Sequence, residues 1–170
     1  ELSSATAADR SPAMPPRPLK IAYLTAGAAG MICGSCLHDN TLARPYISYT
    51  QSDRVDIVLT NPPFGGREED GIESNFPQHF RTRETADLFL ALIIRLLKSG
   101  GRAAVVLPDG TLFGEGIKTR IKQHLLETCN LHTIVRLPNG VFNPYTGIKT
   151  NLLFFTKGTP TQEVWFYEHP

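Results

Sequence analysis

Four consecutive residues, Asn61-Pro62-Pro63-Phe64, have types and spacing that could do chemistry. The Asn61 carboxamide oxygen and the Pro62 carbonyl could accept both hydrogens of an amino group on a planar ring, such as N6 of adenine. Proline at 62 and 63 restricts the backbone, which would hold both acceptors in place beforehand. Phe64 offers a flat apolar face for a base, which in a duplex would first have to flip out. Because Asn-Pro also opens ordinary turns, these residues alone leave a catalytic loop and a surface turn both open.

The stretch before this loop favours the catalytic interpretation. Residues 55–60 form an apolar, β-branched run that stops at two prolines and two glycines. Such a run is typical of a buried parallel strand that hands over to a loop. In open α/β sheets the ligand crevice lies just past the carboxyl ends of the strands. We therefore expect Asn61 to lie at the edge of a sheet where substrates bind.

The rest of the chain predicts the elements that must position this loop. Apolar patterns predict helices at 86–97 and 117–129, the first capped by Thr82 or Thr85, and strands at 21–24, 55–60, 102–107, 131–137, 151–156 and 163–167. The alternation of strands and helices indicates an α/β fold with a doubly wound sheet. The last strands follow one another without a helix, so we expect an antiparallel element there.

Two further loops are candidates for the same site, and a third segment could lie over the cleft. Residues 108–113 contain Asp109, which could be a catalytic carboxylate or a turn aspartate. Residues 138–150 contain Phe142 and Tyr145, which could clamp a base opposite Phe64 or pack in the core beneath a loop. Residues 65–83 are polar and carry three arginines, which predicts a mobile loop that contacts phosphates or is merely solvated.

Composition limits the possible functions. A length of 170 residues suits one domain with a real core. A net charge of +1 gives no basic field strong enough to hold nucleic acid unaided, so if DNA is the substrate, another chain should supply most of the binding. The chain has no run of 18 apolar residues, so no membrane span is expected.

The cysteines and the glycines near the amino terminus carry weaker signals. Three cysteines favour a reducing compartment, and we interpret the Cys33-Gly34-Ser35-Cys36 segment as inert thiols rather than a redox pair or a zinc site. No metal site is expected. The glycines between residues 27 and 34 could cradle a phosphate, but their spacing favours a tight turn.

Longer blocks of sequence resemble a known family, the modification (methyltransferase) subunit of type I restriction-modification systems. The similarity runs from about Asp39 to Pro170 and is carried by residues 53–66, 82–89, 106–110, 136–142 and 144–151. It implies a Rossmann-like class I fold and S-adenosylmethionine-dependent methylation of adenine N6 in DNA. It also implies specificity and restriction subunits as partners and a cytoplasmic location in a bacterium or archaeon.

The same resemblance implies roles for particular residues. Asn61 and the Pro62 carbonyl would bind the target amino group, within a catalytic motif that includes Pro63, and Phe64 would stack the flipped adenine. Asp39 and Asn61 would contact the cofactor.

The amino-terminal part departs from this family. The family places a cofactor loop resembling Asp-Pro-x-Cys-Gly-x-Gly-Gly and two further strands upstream of the Asn-Pro-Pro-Phe loop, and nothing before Val55 matches. Residues 20–42 instead resemble the amino-terminal strand and glycine loop of a family 4 glycosyltransferase. We therefore expect a flexible leader at 1–19, a strand and glycine-rich segment at 20–44, and a partial methyltransferase catalytic domain, the carboxyl-terminal half of the sheet, at 45–170.

Three functions from different classes follow. The chain is the catalytic half of an adenine-N6 DNA methyltransferase, or it methylates a protein glutamine amide through a similar loop. Alternatively, it is a non-catalytic remnant that binds a partner.

Overall fold

The computed structural model describes residues 19–25, 29–32, 35–38, 41–68 and 70–169, and between residues 23 and 40 it describes backbone only. The expectations for the leader, for Cys33 and for Asp39 lie outside the described residues. No helix in the described ranges is long and apolar enough to cross a membrane.

The described residues form a mixed sheet of eight strands with helices in the crossovers. The strands are β1 (Ile21–Thr25), β2 (Ala29–Ile32), β3 (Ser35–His38), β4 (Val55–Asn61), β5 (Leu97–Pro108), β6 (Cys129–Arg136), β7 (Thr150–Lys157) and β8 (Trp165–Glu168). The helices are α1 (Thr85–Leu96), α2 (Asp109–Phe113) and α3 (Ile117–Thr128), and short 3-10 helices span Tyr46–Ser48, Gln51–Asp53, Ile72–Asn75 and Gln78–Phe80. The predicted strands and the two long helices are present, with ends shifted by a few residues.

The strand order in the sheet is β3-β2-β1-β4-β5-β7-β6-β8. Strands β1, β4 and β5 are parallel, and β7 runs antiparallel between β5 and β6, as the absence of a helix before it predicted. Strand β1 pairs along β4, so that Thr25 lies opposite Asn61. Strands β1, β2 and β3 therefore belong to the same sheet as the strand that leads into the candidate loop.

The core lies between one face of this sheet and the two long helices. Alternate strand residues such as Val58, Val105 and Phe155 are fully buried, while their neighbours on the opposite face are partly exposed. Helix α1 contacts β5 and α3, and α3 contacts β6. Because α1 is apolar around most of its circumference, all of its residues except Arg95 are buried. The sheet face and the helices together hold β4, and with it the candidate loop, in a fixed position.

Two local predictions are wrong. The segment at 65–83 is not merely a solvated loop, because Phe76 and Phe80 are buried and their rings lie 5.7 and 6.3 Å from the ring of Tyr46. Helix α1 has neither Thr82 nor Thr85 as its cap. Thr85 is the first helical residue, and the Thr82 hydroxyl accepts a hydrogen bond from the backbone N–H of Glu84 outside the helix.

Candidate functional site

Asn61 is the last residue of β4 and its side chain is exposed at the carboxyl end of the strand. Along β4, Val58 and Thr60 are buried on the helix side of the sheet, and Leu59 and Asn61 lie on the other face. The alternation of the strand thus orients the Asn61 carboxamide away from the core. The carboxamide lies at the carboxyl-terminal edge of the sheet, which is the edge that the sequence predicted.

The loop after Asn61 is anchored by its own backbone. Pro62 is buried, Pro63 and Phe64 are half-buried, and Gly65 has a left-handed φ of 65°. The Gly66 carbonyl accepts a hydrogen bond of 3.2 Å from the backbone N–H of Thr85, the first residue of α1. A Cβ on Gly66 would lie 3.1 Å from the Thr85 hydroxyl, closer than most such contacts allow. The loop is therefore held between the end of β4 and the start of α1.

A second loop supplies an aromatic ring to the first. Residues 137–149 connect β6 to β7, and the ring of Phe142 meets that of Phe64 edge-on, with centroids 5.1 Å apart and planes at 65°. Edge-to-face pairs at this distance are attractive. The structure thus brings Phe142 to Phe64. The Tyr145 side chain, in contrast, is 93% exposed.

The base of the second loop is a polar network that sequence reasoning missed. The Asp109 carboxylate accepts hydrogen bonds of 2.7 and 3.3 Å from the Arg136 guanidinium and one of 2.7 Å from the Asn151 side-chain amide. Asn151 is fully buried at the start of β7. The available signal was the polar Thr150-Asn151 pair at the start of an otherwise apolar strand. Asp109 is therefore neither a free carboxylate nor a simple turn residue.

A second buried acid was also missed, in the first turn of α1. The Asp87 side chain is 1% exposed, and the Lys118 ammonium lies 2.8 Å from its Oδ2 atom. Burial raises the pKa of Asp87, although Lys118 and Thr111 act in the opposite direction. Burial acts to lower the pKa of Lys118, but the carboxylates of Asp87 and Glu84 outweigh it and the pKa is raised. This pair joins α1 to α3 beneath the loop anchored at Thr85, and it is closed to a substrate.

Metal and thiol chemistry find little support in the described part of the chain. No group of three His, Cys, Asp or Glu side chains within it could hold a metal ion. Cys129 is a buried free thiol whose pKa is raised by burial, which makes it a poor nucleophile.

Comparison with known proteins identifies the family. The N-6 DNA Methylase family model matches residues 31–170. The chain belongs to this family.

The relatives of this N-6 DNA methylase are longer than the chain itself. The type I restriction enzyme EcoEI methylase subunit of Escherichia coli is 74% identical over 133 residues, which are 78% of this chain and 27% of that protein. The EcoKI methylase subunit of Escherichia coli K12 is 44% identical over 124 residues, 68% of this chain and 23% of that protein. The chain thus spans about a quarter of the length of these curated relatives.

Solved structures agree with this family assignment. A crystal structure of a modification subunit of a putative type I restriction enzyme from Vibrio vulnificus YJ016 has a TM-score of 0.73 and 55% identity, and covers 76% of this chain and 28% of that chain. A putative class I S-adenosylmethionine-dependent methyltransferase from Listeria monocytogenes, 22% identical, has a TM-score of 0.60 and covers 78% of this chain and 40% of that chain, which shows the fold alone. The predicted fold class, part of a Rossmann-like class I methyltransferase sheet, is confirmed.

Proposed function

We propose that this chain supplies the target-base site of an S-adenosylmethionine-dependent adenine-N6 DNA methyltransferase in a type I restriction-modification complex. The observation that carries the proposal is the placement of Asn61 at the exposed tip of a buried strand, three residues before a ring that meets a second loop. Membership of the N-6 DNA methylase family supports the choice of adenine N6. The alternative function, methylation of a protein glutamine amide, has no comparable support.

The chemistry asked of these residues is the activation of a poor nucleophile. The lone pair of an exocyclic amine is delocalised into the adenine ring. The Asn61 Oδ1 atom and the Pro62 carbonyl would each accept one N6 hydrogen and draw the lone pair back onto nitrogen. Because Pro62 is buried and the loop is tied to α1, these acceptors need little reorganisation when the base arrives. Phe64, with the Phe142 ring inclined at 65° to it, would hold the plane of the base.

The proposed cofactor is S-adenosylmethionine, which supplies an electrophilic methyl group on a sulfonium. The exposed side chain of Asn61 lies beside the end of β1. Its amide can donate as well as accept hydrogen bonds, which fits a contact with a polar cofactor there. Asp39, the second proposed cofactor contact, lies outside the described residues. After methyl transfer to N6, the surplus proton can leave to water, so no residue is assigned as a general base.

The proposed partners are DNA and the specificity and restriction subunits of the complex. A net charge of +1 over 170 residues is too small to hold a polyanion, so sequence-specific grip is assigned to the other subunits. The relatives are methylase subunits of type I restriction enzymes, which supports this assignment. The corresponding location is the cytoplasm of a bacterium.

Transfer of a tritiated methyl group from S-adenosylmethionine to adenine-containing duplex DNA tests the proposal. We expect Asn61→Ala to lower the rate by about 100-fold, the usual effect of removing one preorganised group at a reacting centre. The matched control is Asn130→Ala, because Asn130 lies near the start of β6 and is level with Ile57, four residues before Asn61 in β4. Undiminished transfer by Asn61→Ala would refute the role of Asn61.

Two further readouts separate the alternative functions. Label found on protein glutamine rather than DNA would favour the amide substrate. If calorimetry with S-adenosylmethionine shows no heat while the chain still binds DNA, the interaction-module alternative gains, since the chain spans about a quarter of its relatives.

A further inference from the structure

The Asp109 carboxylate joins three strand ends at the edge of the sheet that carries the candidate site. Asp109 follows β5, Arg136 ends β6, and Asn151 lies at the start of β7. Its two oxygens accept three hydrogen bonds, two from Arg136 and one from Asn151. The Asp109 backbone N–H also donates to the carbonyl of Lys149, at 3.0 Å. One residue therefore holds both ends of the loop at 137–149.

The network is shielded enough for its hydrogen bonds to matter. Asn151 is fully buried, and the side chains of Arg136 and Asp109 are 18% and 27% exposed. A bidentate contact, in which two nitrogens of one guanidinium donate to the two oxygens of one carboxylate, is stronger and more directional than a neutral hydrogen bond. Without the carboxylate, the Asn151 amide would lose its partner in a shielded position, and Arg136 would be left with its longer pair to Glu168, at 3.8 Å.

The loop above this network depends on its base for its position. Leu137 donates a backbone hydrogen bond of 3.0 Å to Thr150, which closes the loop where it leaves the sheet. Further out, Tyr145 is almost fully exposed and Val141 is half exposed. Two side chains of the loop reach the Asn61 loop: the ring of Phe142 lies against Phe64, and Ile148 Cδ1 lies 3.6 Å from where a Cβ on Gly65 would be.

We propose that Asp109 is a positioning residue that holds Phe142 against Phe64 and so preforms the face on which the target base stacks. This inference rests on the proposed adenine site. Asp109 does not act as an acid or base, because both carboxylate oxygens are already occupied by donors. It acts through the Phe142 loop and does not touch the base.

The test compares Asp109→Asn with the wild-type chain. Asparagine keeps the shape but removes the charge and places an N–H group opposite existing donors. The matched control is Asp70→Asn, which removes an aspartate that pairs with Arg83 at 2.8 Å but whose side chain is 86% exposed. If Asp109→Asn does not fold, Arg136→Lys tests the same network, because lysine keeps the charge and loses the two-pronged geometry.

The first readout is ¹⁹F NMR of chain labelled with 4-fluorophenylalanine, with the Phe142 signal assigned by its loss in Phe142→Leu. We expect Asp109→Asn to shift this signal toward that of a solvated ring and Asp70→Asn to leave it in place. The second readout is the fluorescence quenching of 2-aminopurine in the trinucleotide dT–2-aminopurine–dT. We expect Asp109→Asn to weaken this binding about tenfold, as partial loss of a stacking platform would.

The outcomes distinguish this inference from the proposed function. If the wild-type chain does not bind the trinucleotide, the adenine site is refuted, while the ¹⁹F signal still reports whether Asp109 positions Phe142. If the wild-type chain binds and Asp109→Asn binds equally well, the positioning role is wrong. An unmoved Phe142 signal in Asp109→Asn and Arg136→Lys would also overturn it.

Discussion

Replacing Lys118 with methionine would leave the Asp87 carboxyl buried beside an apolar side chain. The Asp87 side chain is 1% exposed, that of Lys118 is 16% exposed, and the two groups lie 2.8 Å apart. Removing one partner of such a pair leaves an uncompensated charge, which typically costs about 3–5 kcal/mol. We therefore expect Lys118→Met to lower the free energy of unfolding at pH 7 by about that amount.

A double-mutant cycle separates the charge from the packing. Asp87→Asn combined with Lys118→Met removes both charges, so we expect it to recover most of the loss and to lie within about 2 kcal/mol of the wild type. The matched control is Lys98→Met, which breaks a pair with Asp56 of the same 2.8 Å length whose side chains are 23% and 19% exposed. Because solvent screens that pair more, its loss should be about 1 kcal/mol.

The pH dependence of Lys118→Met gives a second check. Burial already raises the pKa of Asp87 in the folded chain, and Lys118 opposes that rise, so removing Lys118 should raise the pKa further. A carboxyl whose folded pKa exceeds its unfolded pKa contributes stability below the unfolded value, and that contribution is lost as pH rises through the folded value. Lys118→Met should thus lose stability, relative to the double variant, as the pH rises from about 4 to 7.

Urea unfolding followed by circular dichroism at pH 4.5 and 7.5 would measure these differences. A Lys118→Met midpoint equal to that of the wild type at both pH values would refute the reasoning. So would a loss that persists unchanged when Asp87 is also neutralised, because the cost would then come from packing.

Three further predictions follow from the core, the pKa values and the loop anchor. Phe155→Ala, at a fully buried position, should lower the free energy of unfolding by about 3–5 kcal/mol, and Phe155→Leu by clearly less, as urea unfolding would show. Hydrogen bonds from Arg44 and the Thr50 backbone hold the pKa of Asp53 at about 2. The resulting stability, about 1 kcal/mol after solvent screening, is present above pH 4 and is lost as the pH falls through about 2. When the free energy of unfolding is measured against pH, Asp53→Asn should lack this loss at low pH. Gly66→Val should weaken the binding of the 2-aminopurine trinucleotide, because a Cβ at position 66 meets the start of α1. The loss of binding free energy should exceed the loss of folding free energy measured by thermal melting.

The elements of this fold could be predicted because their apolar patterns are local. Helix α1 and strands β4 to β7 were found with their types correct, since each buries a continuous apolar run or face. Helix α2 was missed because it is five residues long and begins inside a Pro-Asp-Gly sequence, residues 108–110, that is typical of a turn. The buried positions of Phe76 and Phe80 were missed because they lie in a polar segment, and their aromatic partner Tyr46 is some 30 residues away in the chain.

In the candidate site, too, the residues that are contiguous in sequence were predicted and the contacts between distant loops were not. Asn61, its prolines and Phe64 could be proposed together from the sequence because a buried strand and its loop are contiguous. Phe142 was one of two aromatic candidates in a distant loop, and the sequence could not choose between it and Tyr145. The contact at 5.1 Å and the 93% exposure of Tyr145 distinguish the two in the structure. The sequence does not link Asp109 to Arg136 and Asn151, because these residues are far apart along the chain.

By itself, the sequence determined where strands and helices form and which loop carries the amide, because propensity, periodicity and proline restraint act between near neighbours. Only the tertiary structure decided which loops meet, since contacts such as that of Asp109 with Arg136 and Asn151 join residues 27 and 42 positions apart. Such contacts depend on strand order and register, which place the ends of β5, β6 and β7 side by side. That arrangement is a property of the whole sheet and is not encoded in any single stretch.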